Sequence, residues 1–130
     1  LLISKNGEKK LVYAEGETVF LNTFFGDYLM LKNFRTLQLA IEFYRQVATL
    51  NMPTHLKDQL TRSASSIALN LGEGRGKATR RDQVRYFQIA MGSLRESQVA
   101  LQLVGNVDSA IMTKADQLGA SLHLLIKNAV

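Results

Sequence analysis

The residues of this chain best suited to chemistry are basic, and they are concentrated between residues 75 and 85. From residue 73 to residue 85 only Glu73 and Asp82 carry the opposing charge. Clustered cations repel one another unless phosphates or carboxylates neutralise them. The composition therefore predicts an anion-binding surface, with Arg62 as an auxiliary contact; a solvated helix face is the simpler alternative. The predicted contacts are Arg75, Lys77, Arg80, Arg81 and Arg85.

The spacing of three of these cations favours binding. Lys77, Arg81 and Arg85 follow one another at steps of four, which places them along one edge of a helix. That edge lies near a helix N-terminus, whose dipole attracts anions.

The glycine-rich segment Gly72–Gly76 precedes Lys77 and has some features of a phosphate-binding loop. A P-loop requires glycine where this chain has Leu71, and Ser or Thr where it has Ala78. The dinucleotide fingerprint fails too, because Lys77 occupies its third glycine position. The glycines are better interpreted as the end of one helix and a turn into the next.

Acid–base catalysis is a weak hypothesis for this chain. Glu73 and Glu96 are the acids closest to apolar helical surface, and no nucleophile or metal-ligand spacing accompanies them. We expect ion pairs or helix-end hydrogen bonds for both. The sequence has no cysteine, and its two histidines are His55 and His123. We therefore expect no catalytic residue, no metal and no cofactor.

Helical periodicity begins after residue 33 and defines two helices before the glycines. The first is predicted to end near Leu50, and its apolar stripe is Phe34, Leu37, Ile41, Tyr44 and Ala48. The second is predicted to begin after an N-cap at Thr54 and to stop at the glycines. Its stripe is Leu56, Leu60, Ala64, Ile67 and Leu71.

Two further helices follow. Thr79 and Asp82 have the spacing of a capping box at the start of the third, which is predicted to run to about Gly105. Asp108 is predicted to cap the fourth. Four amphipathic helices with short connections predict an all-α fold, an antiparallel up-down-up-down four-helix bundle.

The third helix has more apolar surface than one bundle seam requires. Its excess residues are Tyr86, Ile89 and Ala90. Self-association is the natural use of such a surface, so these residues are the predicted homo-oligomer interface. Tyr86 has a second interpretation, as a platform on which a nucleic-acid base stacks.

Residues 1–29 differ from the rest, because strand-like patterns replace helical ones. Asn6-Gly7 is typical of a tight turn, and Leu11–Tyr13 with Thr18–Leu21 flanks a second turn. This predicts a short N-terminal β-hairpin arm ahead of a bundle domain at residues 30–130. In the alternative, Met30 is the natural start and residues 1–29 are sequence added upstream of it.

The net charge of +5 suits an acidic partner, and nucleic acid is the first candidate. No apolar run reaches the roughly 18 residues of a membrane span, and no signal-peptide pattern opens the chain. We therefore expect a cytoplasmic protein with no membrane contact.

Segments from three parts of the chain together resemble the bacterial four-helix bundle family that is also called the 23S rRNA intervening-sequence or S23 family. They are Leu31–Phe34 with Leu39-Ala40, Gln59–Gly74, and Arg85–Glu96. The resemblance covers about residues 31–128. Leu69 and Leu71 depart from it, since the family often has alanine and isoleucine there, and residues before Met30 have no counterpart.

The resemblance implies a bundle without established enzymatic activity. Distant relatives are the accessory proteins of diversity-generating retroelements, which form a basic pentameric barrel, and this implies a homo-oligomer of five copies as one expectation.

These observations lead to two main hypotheses. The first is a non-enzymatic bundle that contacts RNA phosphates through its basic cluster. The alternative is a protein–protein adaptor that docks an acidic partner through the helix 3 face and the basic elbow between the second and third helices. A small hydrolase using Glu73 and Glu96 ranks last.

Overall fold

The computed structural model describes residues 2–5, 8–12, 18–20 and 31–129. The chain divides into two units, residues 1–34 and residues 35–130. In the first unit, β1 (Leu2–Lys5), β2 (Glu8–Val12) and β3 (Thr18–Phe20) form an antiparallel sheet in that order. This is the pairing that the predicted hairpins require, although their turns at 6–7 and 13–17 lie outside the described residues.

The second unit consists of four helices, α1 (Arg35–Ala48), α2 (Thr54–Arg75), α3 (Arg80–Val104) and α4 (Ser109–Ala129). Each helix packs on two neighbours: α2 contacts α1 and α3, and α4 also contacts α1 and α3. The most extensive contact is between α2 and α3. The predicted four-helix bundle is thereby confirmed.

Side-chain hydrogen bonds show that neighbouring helices run antiparallel. Thr36 lies 2.7 Å from Ser121 across α1 and α4, and farther along α1 Glu42 accepts a hydrogen bond from Lys114. Between α2 and α3, Ser66 bonds to Ser93 at 2.8 Å, and Ser63, earlier on α2, bonds to Ser97, later on α3.

Four of the five residues in the stripe predicted for α2 are buried, and the exception is Leu56. The stripe predicted for α1 is wrong in its second half, because Tyr44 and Ala48 are exposed, whereas Phe43 and Val47 are fully buried. Both sets recur at three- and four-residue steps, so periodicity alone does not choose between them.

The helix boundaries correct two predictions. The N-cap of α2 is Pro53, whose carbonyl accepts hydrogen bonds from the amides of Leu56 and Lys57, and Thr54 is already helical. At its other end α2 does not stop at the glycines: Gly72 and Gly74 are both helical, and the helix continues to Arg75.

The caps predicted for the last two helices are confirmed. Thr79 caps α3, and Asp108 accepts a hydrogen bond from the amide of Ala110 at the start of α4. Between these helices Gly105 has a φ of 69°, which suits a residue without a Cβ. Within the described residues, no helix is both long and apolar enough to span a membrane.

Candidate nucleic-acid interface

The sequence predicts a glycine-rich turn between α2 and α3, but the observed connection is short and hydrogen-bonded. It comprises only residues 76–79, and Gly76 closes α2 with helical backbone angles. The amide of Gly76 bonds to the carbonyl of Glu73, and the amide of Lys77 bonds to that of Gly74. None of Gly72, Gly74 and Gly76 has a positive φ. These glycines are therefore not needed for unusual backbone angles.

Gly74 has a different reason to lack a side chain. A Cβ at this position would lie 2.8 Å from Cβ of Tyr86 and 2.9 Å from Cε1 of Phe87. Gly74 therefore allows the end of α2 to approach the start of α3 closely. Because Tyr86 and Phe87 directly follow Arg85, this contact holds the basic turn of α3 in place.

Thr79 and Asp82 fix the first turn of α3. The Thr79 hydroxyl accepts a hydrogen bond from the Asp82 amide at 3.1 Å and donates one to Oδ2 of Asp82 at 2.8 Å. Gln83 adds a bond from Nε2 to the carbonyl of Lys77 at 2.9 Å. The carboxylate of Asp82 is thus committed to the cap.

A cleft of about 880 Å³ opens beside this turn, between the start of α3 and the end of α4. Its lining is Thr79, Arg80, Arg81, Asp82, Val84, Arg85, Gln88 and Ala129. The antiparallel packing of α3 and α4 explains the presence of Ala129, since Leu94 faces Gly119 farther along the same pair.

Three predicted cations meet in this cleft: Arg80, Arg81 and Arg85. All three are exposed, and in residues 31–129 none of them forms an ion pair or side-chain hydrogen bond. Asp82 is the one acidic residue among those that line the cleft, so the lining carries a net positive charge. A phosphate oxygen that entered it would accept charge-assisted hydrogen bonds from the guanidinium groups.

The other three predicted cations lie outside the cleft lining. Lys77 precedes α3, so the predicted helical edge contains only Arg81 and Arg85. The ammonium of Lys77 lies 3.7 Å from Glu73 and 4.8 Å from the centre of the Tyr86 ring. Arg75 is exposed at the end of α2. Arg62 lies thirteen residues earlier on α2, about 20 Å away along the helix.

The three residues predicted to form the oligomer interface differ in their exposure to solvent. Ile89 is exposed and Tyr86 is half-buried, but Ala90 is fully buried. Ala90 faces the core of its own bundle, so it is not available to contact a second copy. Because of its small side chain it fits either environment, so its type gave no indication of the difference.

Sequence reasoning missed two polar lining residues, Thr79 and Gln88. Gln88 follows Arg81 by seven positions and Arg85 by three, so helical spacing alone places it on the same face. The contribution of Ala129 depends on tertiary packing and has no local signal.

The two acids considered for catalysis lie apart. Glu73 pairs with Lys77, and Glu96 accepts a hydrogen bond from Gln59. The antiparallel register of α2 and α3 separates the two acids by on the order of 13 Å along the bundle. Within the described residues, no group of three or more acids and histidines is positioned to hold a metal ion.

The comparison with protein families gives a clear result. The model of the 23S rRNA-intervening sequence protein matches residues 32–128, from just before α1 to one residue before the end of α4. No curated protein matches the chain. Because the matched range covers well over half of the sequence and contains nearly the whole bundle, the chain belongs to the 23S rRNA-intervening sequence protein family.

Proposed function

We propose that this protein is a non-enzymatic, RNA-associated four-helix bundle that contacts RNA phosphates in the cleft at the start of α3 and acts as a homo-oligomer. The observation that carries the proposal is the convergence of Arg80, Arg81 and Arg85 on one concave surface with a single, committed carboxylate. RNA is a cytoplasmic ligand, so the cytoplasm is the proposed compartment.

The chemistry of the cleft suits phosphate better than a neutral ligand. Arginine presents planar pairs of donors that match phosphate oxygens, and it stays charged at every physiological pH. Arg81 and Arg85 are one helical turn apart, and Arg80 lines the same cleft. Contacts of this kind bind the backbone of RNA without reading its bases.

The family supports RNA as the nucleic acid, because its description refers to a segment of a ribosomal RNA gene. A role without catalysis is supported by Glu73 and Glu96, which have separate partners and do not converge. Arg62, Arg75 and Lys77 are proposed as auxiliary contacts that a longer RNA reaches outside the cleft. The five-copy ring implied by distant relatives is one form that the homo-oligomer would take.

The salt dependence of RNA binding tests this proposal. We would measure the affinity of the purified protein for a structured RNA by fluorescence anisotropy at several salt concentrations. The test variant is Arg80→Gln/Arg81→Gln. Because each lost phosphate contact lowers the slope of log K against log salt by about 1, the double variant should lose a slope of about 2.

A second double variant provides the control. Arg35 and Arg45 are exposed arginines on α1 that do not line the cleft. The variant Arg35→Gln/Arg45→Gln loses the same charge and should retain the slope of the original protein. Equal losses in the two variants would show that only net charge matters and would contradict a binding site in the cleft.

A further inference from the structure

The cleft at the start of α3 is larger than a phosphate group requires. Its volume is about 880 Å³, and beside the three arginines its lining includes the uncharged residues Val84, Gln88 and Ala129. Clefts of roughly 300 to 1,000 Å³ are large enough to hold a whole small molecule. The arginines suffice to bind a phosphate, so the remaining space is open to a group attached to that phosphate.

Gln88 is the polar residue of this uncharged part. Its side chain is exposed, and in residues 31–129 its amide forms no hydrogen bond. The side-chain amide of glutamine has donors on its nitrogen and an acceptor oxygen. A phosphodiester accepts hydrogen bonds and donates none, so it would leave the amide oxygen without a partner. The edge of a nucleic-acid base carries donors and acceptors side by side, and it therefore matches both ends of the amide.

Val84 and Ala129 supply the apolar part of the lining. Val84 is half-buried and precedes Gln88 by four residues, so the two side chains lie one turn apart on the same face of α3. Ala129 comes from α4 and is also half-buried. Its side chain ends at Cβ, so it forms part of the wall without filling the cleft. The flat face of a base packs on such apolar surface, while its edge remains free to form hydrogen bonds.

The charged and uncharged parts of the lining lie at different levels of α3. Arg80 and Arg81 belong to the first turn, where the helix dipole is positive. Gln88 follows Arg81 by seven residues, which is about 10 Å farther along the helix axis. A phosphate bound at the first turn therefore leaves space for its nucleoside in the direction of Gln88. Arg85 lies between the two levels.

We propose that the cleft receives one unpaired nucleotide of single-stranded RNA. Its phosphate bonds to Arg81 and Arg85. Its base packs between Val84 and Ala129 and presents its edge to Gln88. This proposal rests on the RNA binding proposed above, and it adds the kind of RNA and the residue that contacts the base.

The shape of RNA explains why the nucleotide must be unpaired. In an RNA duplex the bases are stacked, and the major groove is too deep and narrow for side chains to read. A base enters a concave cleft only when it is unstacked. The ligands of this cleft are therefore loops, bulges and ends of RNA, where bases are splayed out and their edges are accessible.

An abasic analogue tests whether a base enters the cleft. We would compare a short single-stranded RNA with an abasic analogue that has the same number of phosphates, using fluorescence anisotropy and the full chain. The RNA should bind about tenfold more tightly, because contacts to a base edge add to those of the phosphates. Equal affinities would overturn the proposal.

A matched pair of glutamine variants tests the base contact. Gln88→Leu should lower the affinity for single-stranded RNA about tenfold, because it leaves the base edge without hydrogen bonds. It should preserve the salt slope and the affinity for the abasic analogue and for a fully paired duplex. Gln102 is also exposed on α3 but does not line the cleft, so Gln102→Leu should change none of these quantities. Equal effects of the two variants would contradict the role of Gln88.

Ala129→Leu tests the position of the base by filling its space. This variant should lower the affinity for single-stranded RNA to that of the abasic analogue, whose own affinity should not change. Circular dichroism and thermal unfolding would check that the bundle is intact. Unchanged RNA binding in an intact Ala129→Leu protein would overturn the packing of a base at this wall.

The variant Arg80→Gln/Arg81→Gln distinguishes the possible failures. If the cleft binds RNA phosphates but no base, this variant still lowers the salt slope, while RNA and abasic analogue bind the original protein equally. If the cleft does not bind RNA, the variant changes neither affinity nor slope for either ligand. A glutamate-rich peptide that binds the cleft as tightly as the RNA does would overturn both proposals in favour of an acidic protein partner.

Discussion

Ser63 and Ser97 form a buried hydrogen bond across α2 and α3, with their Oγ atoms 2.7 Å apart. Each Oγ also lies within hydrogen-bond distance of a carbonyl in its own helix, that of Leu60 for Ser63 and that of Ser93 for Ser97. Because a hydroxyl has one proton, one serine donates across the pair while the other donates to its own carbonyl. Ser66 and Ser93 repeat the arrangement one turn farther toward the cleft. Small polar side chains thus fix the register of the two helices that position the basic turn.

Replacing Ser97 with alanine should lower the free energy of unfolding by about 1 kcal/mol, since Ser63 keeps a second hydrogen bond and is not left unsatisfied. Urea denaturation of Ser63→Ala, Ser97→Ala and the double variant measures the coupling. The double variant should lose less stability than the sum of the two singles. Strict additivity would show that the hydroxyl pair contributes nothing as a pair.

Gly74→Ala should destabilise the bundle by about 1 to 3 kcal/mol, because the added methyl group would overlap Cβ of Tyr86. Gly72 is the matched control, since a Cβ there meets nothing within 4 Å in the same turn of α2. Gly72→Ala should leave stability unchanged or raise it by up to about 1 kcal/mol. Chemical denaturation of both variants is the measurement, and equal effects would contradict the close approach at Gly74.

The ion pair between Lys114 and Glu42 should make stability depend on pH. The hydrogen bond from Lys114, 2.8 Å long, and the positive charge of Lys114 lower the pKa of Glu42 below its ordinary value of 4.5. A carboxyl group with a lowered pKa stabilises the fold above its ordinary pKa, and this contribution is lost as the pH falls through the lowered value.

The unfolding free energies of the original protein and Lys114→Met, measured by urea denaturation from neutral to acidic pH, test this dependence. Their difference should be largest near neutral pH and should vanish in acid. Lys127→Met is the control, because Lys127 is exposed on the same helix and forms no ion pair in residues 31–129. A difference that persists unchanged in acid would contradict the role assigned to Glu42.

Loss of the N-cap should weaken the first turn of α3, which lines the cleft. Thr79→Ala removes the acceptor for the Asp82 amide and should cost about 1 kcal/mol of stability. Hydrogen exchange should accelerate at the amides of residues 80–83 more than elsewhere in α3. Thr113→Ala, at an exposed position inside α4, is the control, and equal exchange in the two variants would contradict the capping role.

The helices, their order and the caps at Thr79 and Asp108 could be predicted because these signals are local. The choice of the buried face of α1 could not, since Tyr44 and Phe43 are both aromatic residues in a helical apolar pattern. Only contact with α2 and α4 determines that Phe43 is buried. The same holds for Ala90, which is compatible with either the core or the surface.

The end of α2 was misjudged for a related reason. Glycine is a poor helix former, so Gly72 and Gly74 indicated a break. In the structure both stay helical, and Gly74 is required by the packing of Tyr86 and Phe87 rather than by a turn. A preference of about 1 kcal/mol per residue is readily overcome by tertiary contacts.

The sequence predicts the basic residues as one cluster, whereas in the structure three of them line the cleft and the others lie outside it. Arg81 and Arg85 share a face because they are four residues apart on one helix, which sequence alone determines. The engagement of Lys77 by Glu73 and Tyr86, and the contribution of α4 to the cleft, depend on packing between distant segments.

The central claim, that the cleft is the RNA-binding surface, is tested most directly by titrating a structured RNA into isotope-labelled protein and following backbone amide signals by NMR. The account predicts that the largest shifts lie at residues 79–88 and at the end of α4, and that Arg80→Gln/Arg81→Gln abolishes them. Shifts concentrated on α1, or unchanged in that variant, would contradict it.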